Sequence, residues 1–533
     1  MSTGARVDRP RVLVCGQLEG RGVEILEERG CRVDQQAHRR AGPLTDVLDG
    51  YDGVIVHSAH HVDAASLAAA PRLRVVGRAG VGVDNIDLAA ATDAGVLVMN
   101  LPSGNTVTAA EHTLALMLAL ARNIPQAAAA LHGGEWNRAP YLGLELKEKV
   151  LGIVGLGRIG REVARRALAF EMQVLAADPY MSEQAAADFG VELLSLPELL
   201  PLVDILTLHL PISDETRHLI DAASLAAMKP GARLVNCARG GLVDERALLA
   251  SLESGHLAGV ACDVFEQEPT ANHDLLAQPR FIGTPHLGGA TREAQEKIGE
   301  GIARQVADFL ADGTIRHAIN VHALPPEEQR PLIPYLDLGR RLGSLLSQCF
   351  TGIEALRIEY GGELTAYTLK PVSAQLLVGF FESQGGDRVN AVNVWSLARQ
   401  RGVDVEEITS TSPSGYSSLI RIVARVGDRT HSVAGTVFDA RRPRLVEVEG
   451  LPMEAEPQGN LLLFANDDRP GVVGAVGQFL GRRGINIGDV CLGRADTGGK
   501  AIAVLTLDSP LEESGCQEFE ALEAIHWARM VKL

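Results

Sequence analysis

Residues 149–178 read Lys149-Val-Leu-Gly-Ile-Val-Gly155-Leu-Gly157-Arg158-Ile159-Gly160, then an amphipathic run to Phe170, an apolar run from Gln173 to Ala177, and Asp178. The order is strand, glycine turn, helix, strand, acid. In such an order Gly155 permits the tight turn, Gly157 lets the backbone approach a pyrophosphate, and Gly160 lets the helix pack on the strand. The helix start offers N–H groups and a positive dipole end to that pyrophosphate. Asp178 stands about 20 residues on, where a carboxylate accepts ribose hydroxyls and repels a 2′-phosphate. No arginine follows among Pro179, Tyr180, Met181 and Ser182, so the cofactor expected is NAD rather than NADP.

Outward from this stretch the chain alternates short β-branched runs with helical patterns. On the N-terminal side, Arg11 to Cys15, Gly53 to Val56, a run ending at Gly77 and one ending at Met99 predict parallel strands joined by right-handed crossovers. Residues 108–130 read as one alanine-rich helix, and residues 132–141, with Trp136 and Arg138, as an irregular loop suited to reaching a neighbouring subunit. On the C-terminal side, strands are expected at 204–208, 233–236, 259–263 and 280–283, with a capped helix over 244–252. A last helix over 292–311 leads the chain back to the first domain. Residues 325–331, rich in proline, read as a linker. Beyond them come a helix at 335–349, strands at 356–360 and 419–426, and, from residue 460, a β-α-β-β pattern of ferredoxin-like size.

A chain of 533 residues with 46% hydrophobic residues has room for three to four domains with full cores. A net charge of −17 argues against nucleic acid or an anionic membrane as the main partner. Seven scattered cysteines without paired short spacing suit reduced thiols in a cytoplasm. The start of the chain, 1–10, has no apolar core, and no run of eighteen uncharged apolar residues occurs, so neither a secretion signal nor a membrane span is expected.

Three residues follow predicted strands of one sheet and can share its cleft: Arg239, Glu268 and His286. Hydride transfer from a 2-hydroxy acid needs these types. A guanidinium binds the carboxylate in two places, an imidazole moves the hydroxyl proton, and a carboxylate fixes the imidazole tautomer and raises its pKa. Taken singly, each is as well read as a surface cation, a loop acid and a capped loop histidine; their order behind a dinucleotide fold favours the joint reading. His209 reads as structural or cofactor-facing. Histidines 57, 60 and 61 cluster near a strand end with no acid or cysteine to support a metal, so no metal is expected.

The segments 78–84, 155–160, Asn236-Cys-Ala-Arg-Gly-Gly-Leu-Val-Asp244, Asp263-Val-Phe-Glu-Gln-Glu-Pro269 and Thr284-Pro-His-Leu-Gly288 resemble the D-2-hydroxyacid dehydrogenase family, and within it the long-form members that act on phosphoglycerate. The resemblance covers nearly the whole chain. It implies two parallel-sheet Rossmann-like domains, the substrate domain discontinuous (1–101 and 293–320) around an NAD-binding domain (102–292). An α+β intervening domain (321–458) and a ferredoxin-like α+β ACT regulatory domain (459–533) follow. It also implies His286 as acid/base, Glu268 as its partner and Arg239 as substrate anchor. Asp263 is then expected at the nicotinamide carboxamide, with Arg158 and Ile159 over the pyrophosphate. Val81, Leu210, Cys237, Ala238, Gly288 and Gly289 are expected to line the cofactor. His57, Arg78, Gly82, Asn105 and Arg138 from a neighbouring subunit are expected around the substrate, in a homo-oligomer, a tetramer by resemblance. Asn466, Asp468 and Asn486 match residues that hold L-serine as an effector, while as bare residues they equally suit a turn. The family members acting on phosphoglycerate usually carry Arg-Ser where this chain has His57-Ser58, and a neutral histidine is a weaker phosphate ligand. Besides oxidation of 3-phospho-D-glycerate, two readings stand: the same chemistry on an unphosphorylated 2-hydroxy or 2-oxo acid, which His57 makes plausible, and a nicotinamide-sensing regulatory protein, a role that related folds take.

Overall fold

The β-branched runs of the first hundred residues form one parallel sheet, ordered Arg32–Gln36, Arg11–Cys15, Gly53–Val56, Val75–Arg78 and Leu97–Met99, in a computed structural model that describes residues 9–36, 42–385, 388–410, 415–494 and 498–533. Residues 1–8, most of the start read above as lacking an apolar core, lie outside the described residues. Side chains are buried on both faces, Val12, Val14, Ile55 and Leu97 on one and Leu13, Val54, Val76 and Val98 on the other. Two-sided burial is why these strands read as continuous apolar runs. The edge strand Arg32–Gln36 was not legible, because its sequence is largely polar. Helix Arg292–Asp312 returns as expected and lays Ile298, Ile302, Val306 and Leu310 against the first face.

A second, seven-stranded parallel sheet runs Glu192–Leu193, Gln173–Ala177, Val150–Val154, Ile205–Leu208, Arg233–Asn236, Gly259–Cys262, Phe281–Gly283. Its strand order reverses between Val150–Val154 and Ile205–Leu208. In doubly wound sheets a ligand binds at the carboxyl ends beside such a reversal. The expected single helix over 108–130 is two, Thr106–Ala121 and Ile124–His132, bent by 63°. Asn123 takes a left-handed backbone (φ 52) at the break and Pro125 brings no N–H to the new first turn. The second helix buries none of its residues, and Trp136 beyond it is 83% exposed. Among the described residues no single helix is long and apolar enough to cross a membrane.

The stretch read as a linker at 325–331 is helical instead: one helix spans Pro326–Cys349 with Pro331 and Pro334 inside it. Its apolar face, with Leu338, Leu342 and Leu345, joins the core of a six-stranded mixed sheet and outweighs the lost backbone bonds. The last sheet is antiparallel, ordered Ile487–Arg494, Lys500–Leu507, Asn460–Asp467, Ile525–Lys532, with helices Val472–Arg482 and Glu513–Glu520 between strands. This is the ferredoxin-like arrangement expected from its first half.

Candidate active site

The glycine turn is built as its spacing requires. Gly155 has φ 90, and a Cβ there would lie 2.6 Å from the His209 carbonyl oxygen. A Cβ on Gly160 would lie 2.2 Å from the Gly155 oxygen, so helix and strand touch backbone to backbone. A Cβ on Gly157 would meet no protein atom within 4 Å, which leaves that side open to a ligand. Gly157 caps helix Arg158–Ala169 without a side-chain hydrogen bond, so the N–H groups of its first turn are free for a pyrophosphate. Asp178 ends the second strand; its Oδ2 accepts from Leu156 N at 2.8 Å and its Oδ1 from Tyr180 N at 2.9 Å. These backbone donors hold the carboxylate beside the turn, where a ribose would lie. The residues present fit NAD.

Arg239, Glu268 and His286 do converge at the carboxyl ends of the adjacent strands. His286 Nδ1 and Glu268 Oε2 are 2.7 Å apart, and Glu268 Oε1 accepts from Phe265 N at 3.1 Å. The Glu268 hydrogen bond, outweighing burial, raises the His286 pKa above its ordinary value. Burial pushes the Glu268 carboxyl up, but the bond and charge of His286 and the Phe265 N–H pull it down further, and the net shift is downward. His286 sits in the left-handed region (φ 55), a backbone rare for a non-glycine residue. Arg239 Nε reaches Asp84 Oδ2 at 3.2 Å on the first parallel sheet's side, and its Nη1 donates to Ala238 O at 2.7 Å. A Cβ on Gly82 would fall 2.2 Å from Arg239 Nη2, so the guanidinium lies against the Gly82 backbone.

Arg78 ends the strand beside Gly53–Val56, and burial, then the nearby Arg239, lowers its pKa to about 10, leaving it cationic at neutral pH. His57 follows the neighbouring strand; burial, then Arg78 and His60, push its imidazole down, so it is uncharged at neutral pH. Asn85 Nδ2 ties this corner together by donating to the His57 and His60 carbonyls. Asn105 lies against Gly289, whose Cβ would be 3.2 Å from its Nδ2. Val81 O accepts from Asn100 Nδ2. Leu210 follows strand Ile205–Leu208, and burial depresses the preceding His209 to about 3. Cys237 and Ala238 follow strand Arg233–Asn236, and burial pushes the Cys237 thiol up to about 12.

Asp263 is wholly buried, and its Oδ1 accepts from the Thr284 hydroxyl (2.6 Å) and Leu287 N (2.7 Å), its Oδ2 from Gly288 N (2.7 Å). His112 Nε2 lies 3.2 Å from Oδ1. Burial raises the carboxyl pKa, and the donors together lower it below the ordinary value. Oδ2, with one donor among the described residues, keeps a lone pair for the carboxamide that the family resemblance implies. Arg138 is not brought to the cleft by its own chain: it stands on an exposed segment and its guanidinium has no ion-pair partner among the described residues. Three contributors escaped the sequence reading: Asp84 and Thr284, quoted only as parts of motifs, and His112, a lone imidazole on an Ala/Leu-rich helix.

The effector candidates are only partly assembled. Asn466 and Asp468 line one cavity with Phe464, Arg469, Val472 and Val476, and Asn466 Oδ1 is buried without a partner among the described residues. Asp468 Oδ2 accepts from Gly498 N (3.1 Å) and pairs with Arg494 (3.2 Å). Asn486 is not among the lining residues; it is exposed and donates to Asp508.

A doubly wound dinucleotide domain with a cleft holding Arg239, Glu268 and His286 defines a D-2-hydroxyacid dehydrogenase, and residues 114–288 match the family described as D-isomer specific 2-hydroxyacid dehydrogenase, NAD binding domain. Residues 331–449 match the D-3-phosphoglycerate dehydrogenase intervening domain. The chain is 39% identical over 525 residues to D-3-phosphoglycerate dehydrogenase of Bacillus subtilis (98% of this chain, 99% of that one) and 38% identical over 525 residues to the enzyme of that name from Synechocystis sp. (98% and 95%). The solved TT0316 protein from Thermus thermophilus is similar at a TM-score of 0.53 and 37% identity, covering 58% of this chain and 99% of that one. The chain belongs to the D-3-phosphoglycerate dehydrogenase family, and it is an NAD-dependent dehydrogenase.

Proposed function

We propose that this chain oxidises 3-phospho-D-glycerate to 3-phosphohydroxypyruvate, the first step of L-serine synthesis. The observation that carries the reading is the 2.7 Å His286–Glu268 pair beside two guanidinium groups, Arg239 and Arg78, in one cleft. A substrate with an anionic group at each end suits two cations there better than a monoanionic acid does. Arg239 takes the carboxylate in its fork and polarises the C2 oxygen. Glu268 occupies Nδ1 of His286 and so leaves Nε2 to accept the hydroxyl proton. Bound NAD supplies the acceptor for the C2 hydride. Gly155, Gly157, Arg158, Ile159, Gly160 and Asp178 hold its pyrophosphate and ribose, while Val81, Leu210, Cys237, Ala238, Asp263, Gly288 and Gly289 line its nicotinamide end. Gly82 and Asn105 lie at the carboxylate mouth.

On this reading, 1–101 with 293–320 is the substrate domain, 102–292 the NAD domain, 321–458 the intervening domain and 459–533 the regulatory one. The enzyme works in the cytoplasm as a homo-oligomer, a tetramer by resemblance. A second copy covers the exposed helix Ile124–His132 and Trp136 and lends its Arg138 to the phosphate. L-serine binds at Asn466 and Asp468, with Asn486 supplied from a paired domain.

A second reading, an unphosphorylated 2-hydroxy acid, draws on the uncharged His57. The test is initial-rate NADH formation from 3-phospho-D-glycerate and NAD at alkaline pH, with and without millimolar L-serine. Turnover suppressed by serine supports both substrate and effector. Turnover indifferent to serine removes the effector alone, and absence of turnover removes the phosphoglycerate reading.

A further inference from the structure

His112 belongs to helix Thr106–Ala121 and touches neither Glu268 nor His286, yet it closes the network behind them. Its Nε2 is 3.2 Å from Thr284 Oγ1 and 3.2 Å from Asp263 Oδ1. The Thr284 hydroxyl already donates its only proton to Asp263, and an ionised Asp263 has none to give. The hydrogen at this junction therefore sits on Nε2 of His112. Asp263 in turn accepts the N–H groups of Leu287 and Gly288, the two residues directly after His286. A left-handed backbone such as that of His286 persists where its surroundings hold it. Of the four donors to the Asp263 carboxylate among the described residues, three come from the 284–288 loop itself and His112 comes from another element.

Resting on the reading of His286 as the acid/base, we propose that His112 is a positioning residue: by donating from Nε2 to the buried Asp263 carboxylate, it anchors the backbone after His286 so that the imidazole stays on Glu268. The helix that carries the chain into the nucleotide domain thus sets the orientation of the proton-transfer group. A carboxylate buried without this donor shifts, or takes up a proton and gives up one of its loop contacts.

The test compares the wild type with His112→Leu, His112→Gln, His112→Asn and His286→Ala in steady-state NADH formation across pH, with thermal melts of each. His112→Leu is expected to lose kcat by about 10- to 100-fold, the range for a group supporting a catalytic one. The KM of the hydroxy acid is expected to stay within about twofold, as for a group that does not touch substrate. The acid limb of the pH profile moves to lower pH, because His286 is less firmly held on Glu268. His112→Gln, whose amide nitrogen can reach the Nε2 position, restores most of kcat and the limb; the shorter His112→Asn does not. If His112→Leu fails to fold, the Gln and Asn variants decide the matter. A wild-type kcat and limb in His112→Leu, equal impairment in Gln and Asn, or a loss confined to KM overturns the proposal. Undiminished turnover by His286→Ala instead overturns the acid/base reading; an inactive His286→Ala beside an unchanged His112→Leu overturns the positioning role alone.

Discussion

Replacing Gly157 and Gly160 separately by alanine divides cofactor binding from folding. Gly157 has φ −73 and ψ −155, open to any L-residue, and its new methyl would meet no protein atom within 4 Å. Loss of a good N-cap residue and reduced freedom of the unfolded chain each amount to about 0.5–1 kcal/mol with opposite signs, so Gly157→Ala should melt within a few degrees of wild type. The methyl instead occupies the space where a pyrophosphate meets the backbone, and about 1.4–3 kcal/mol lost there is a 10- to 100-fold weaker Kd. At Gly160 the new Cβ falls 2.2 Å from the Gly155 carbonyl oxygen, a backbone atom that cannot swing aside. Overpacking of this kind costs about 1–3 kcal/mol, which lowers Tm by roughly 2–12 °C in a domain of this size. Titration of NADH fluorescence and thermal melts read the two effects. Gly157→Ala binding NADH as wild type does, or Gly160→Ala melting as wild type does, would refute the assignment of the glycines.

Glu268→Gln removes the negative charge beside His286 and leaves only a neutral hydrogen bond to Nδ1, so less holds the His286 pKa up; the imidazole must be neutral to accept a proton, so the acid limb of the oxidation should move to lower pH, with kcat down on the order of 10- to 100-fold in pH-resolved initial rates. Arg239→Lys keeps the charge but loses the planar fork, and the KM of the hydroxy acid should rise about 10- to 100-fold in steady-state kinetics. Asp468→Ala should weaken L-serine binding at least about tenfold by calorimetry, since an ammonium loses its carboxylate partner.

Much of the site was legible because its signals are local. Gly155 and Gly160 are glycines for steric reasons within the protein that the spacing, read with the flanking strand, helix and acid, brings out, and Arg239, Glu268 and His286 each follow an apolar run whose end brings them to one edge of the sheet. What escaped depends on distant partners. Nothing around His112 says that its ring meets Asp263 and Thr284, residues more than 150 positions away and assembled only when the helix packs on the sheet. The break at Asn123 was hidden by the unbroken alanine-rich pattern around it. The helix from Pro326 defied its prolines because Leu338, Leu342 and Leu345 supply tertiary packing that composition does not show. Strand Arg32–Gln36 lacked an apolar signature because an edge strand need not carry one. Asn486, offered with Asn466 and Asp468 on resemblance, is not among the residues lining their cavity, although its neighbour Ile487 is, and its amide is turned to Asp508.

The most direct measurement is kcat/KM with NAD for 3-phospho-D-glycerate against D-glycerate, which lacks only the phosphate. With Arg78 and Arg239 both in the cleft, a preference for the phosphorylated acid on the order of a hundredfold or more is expected, because the unphosphorylated acid leaves a buried cation unpaired. Equal rates, or a preference for D-glycerate, would contradict the assignment of the substrate.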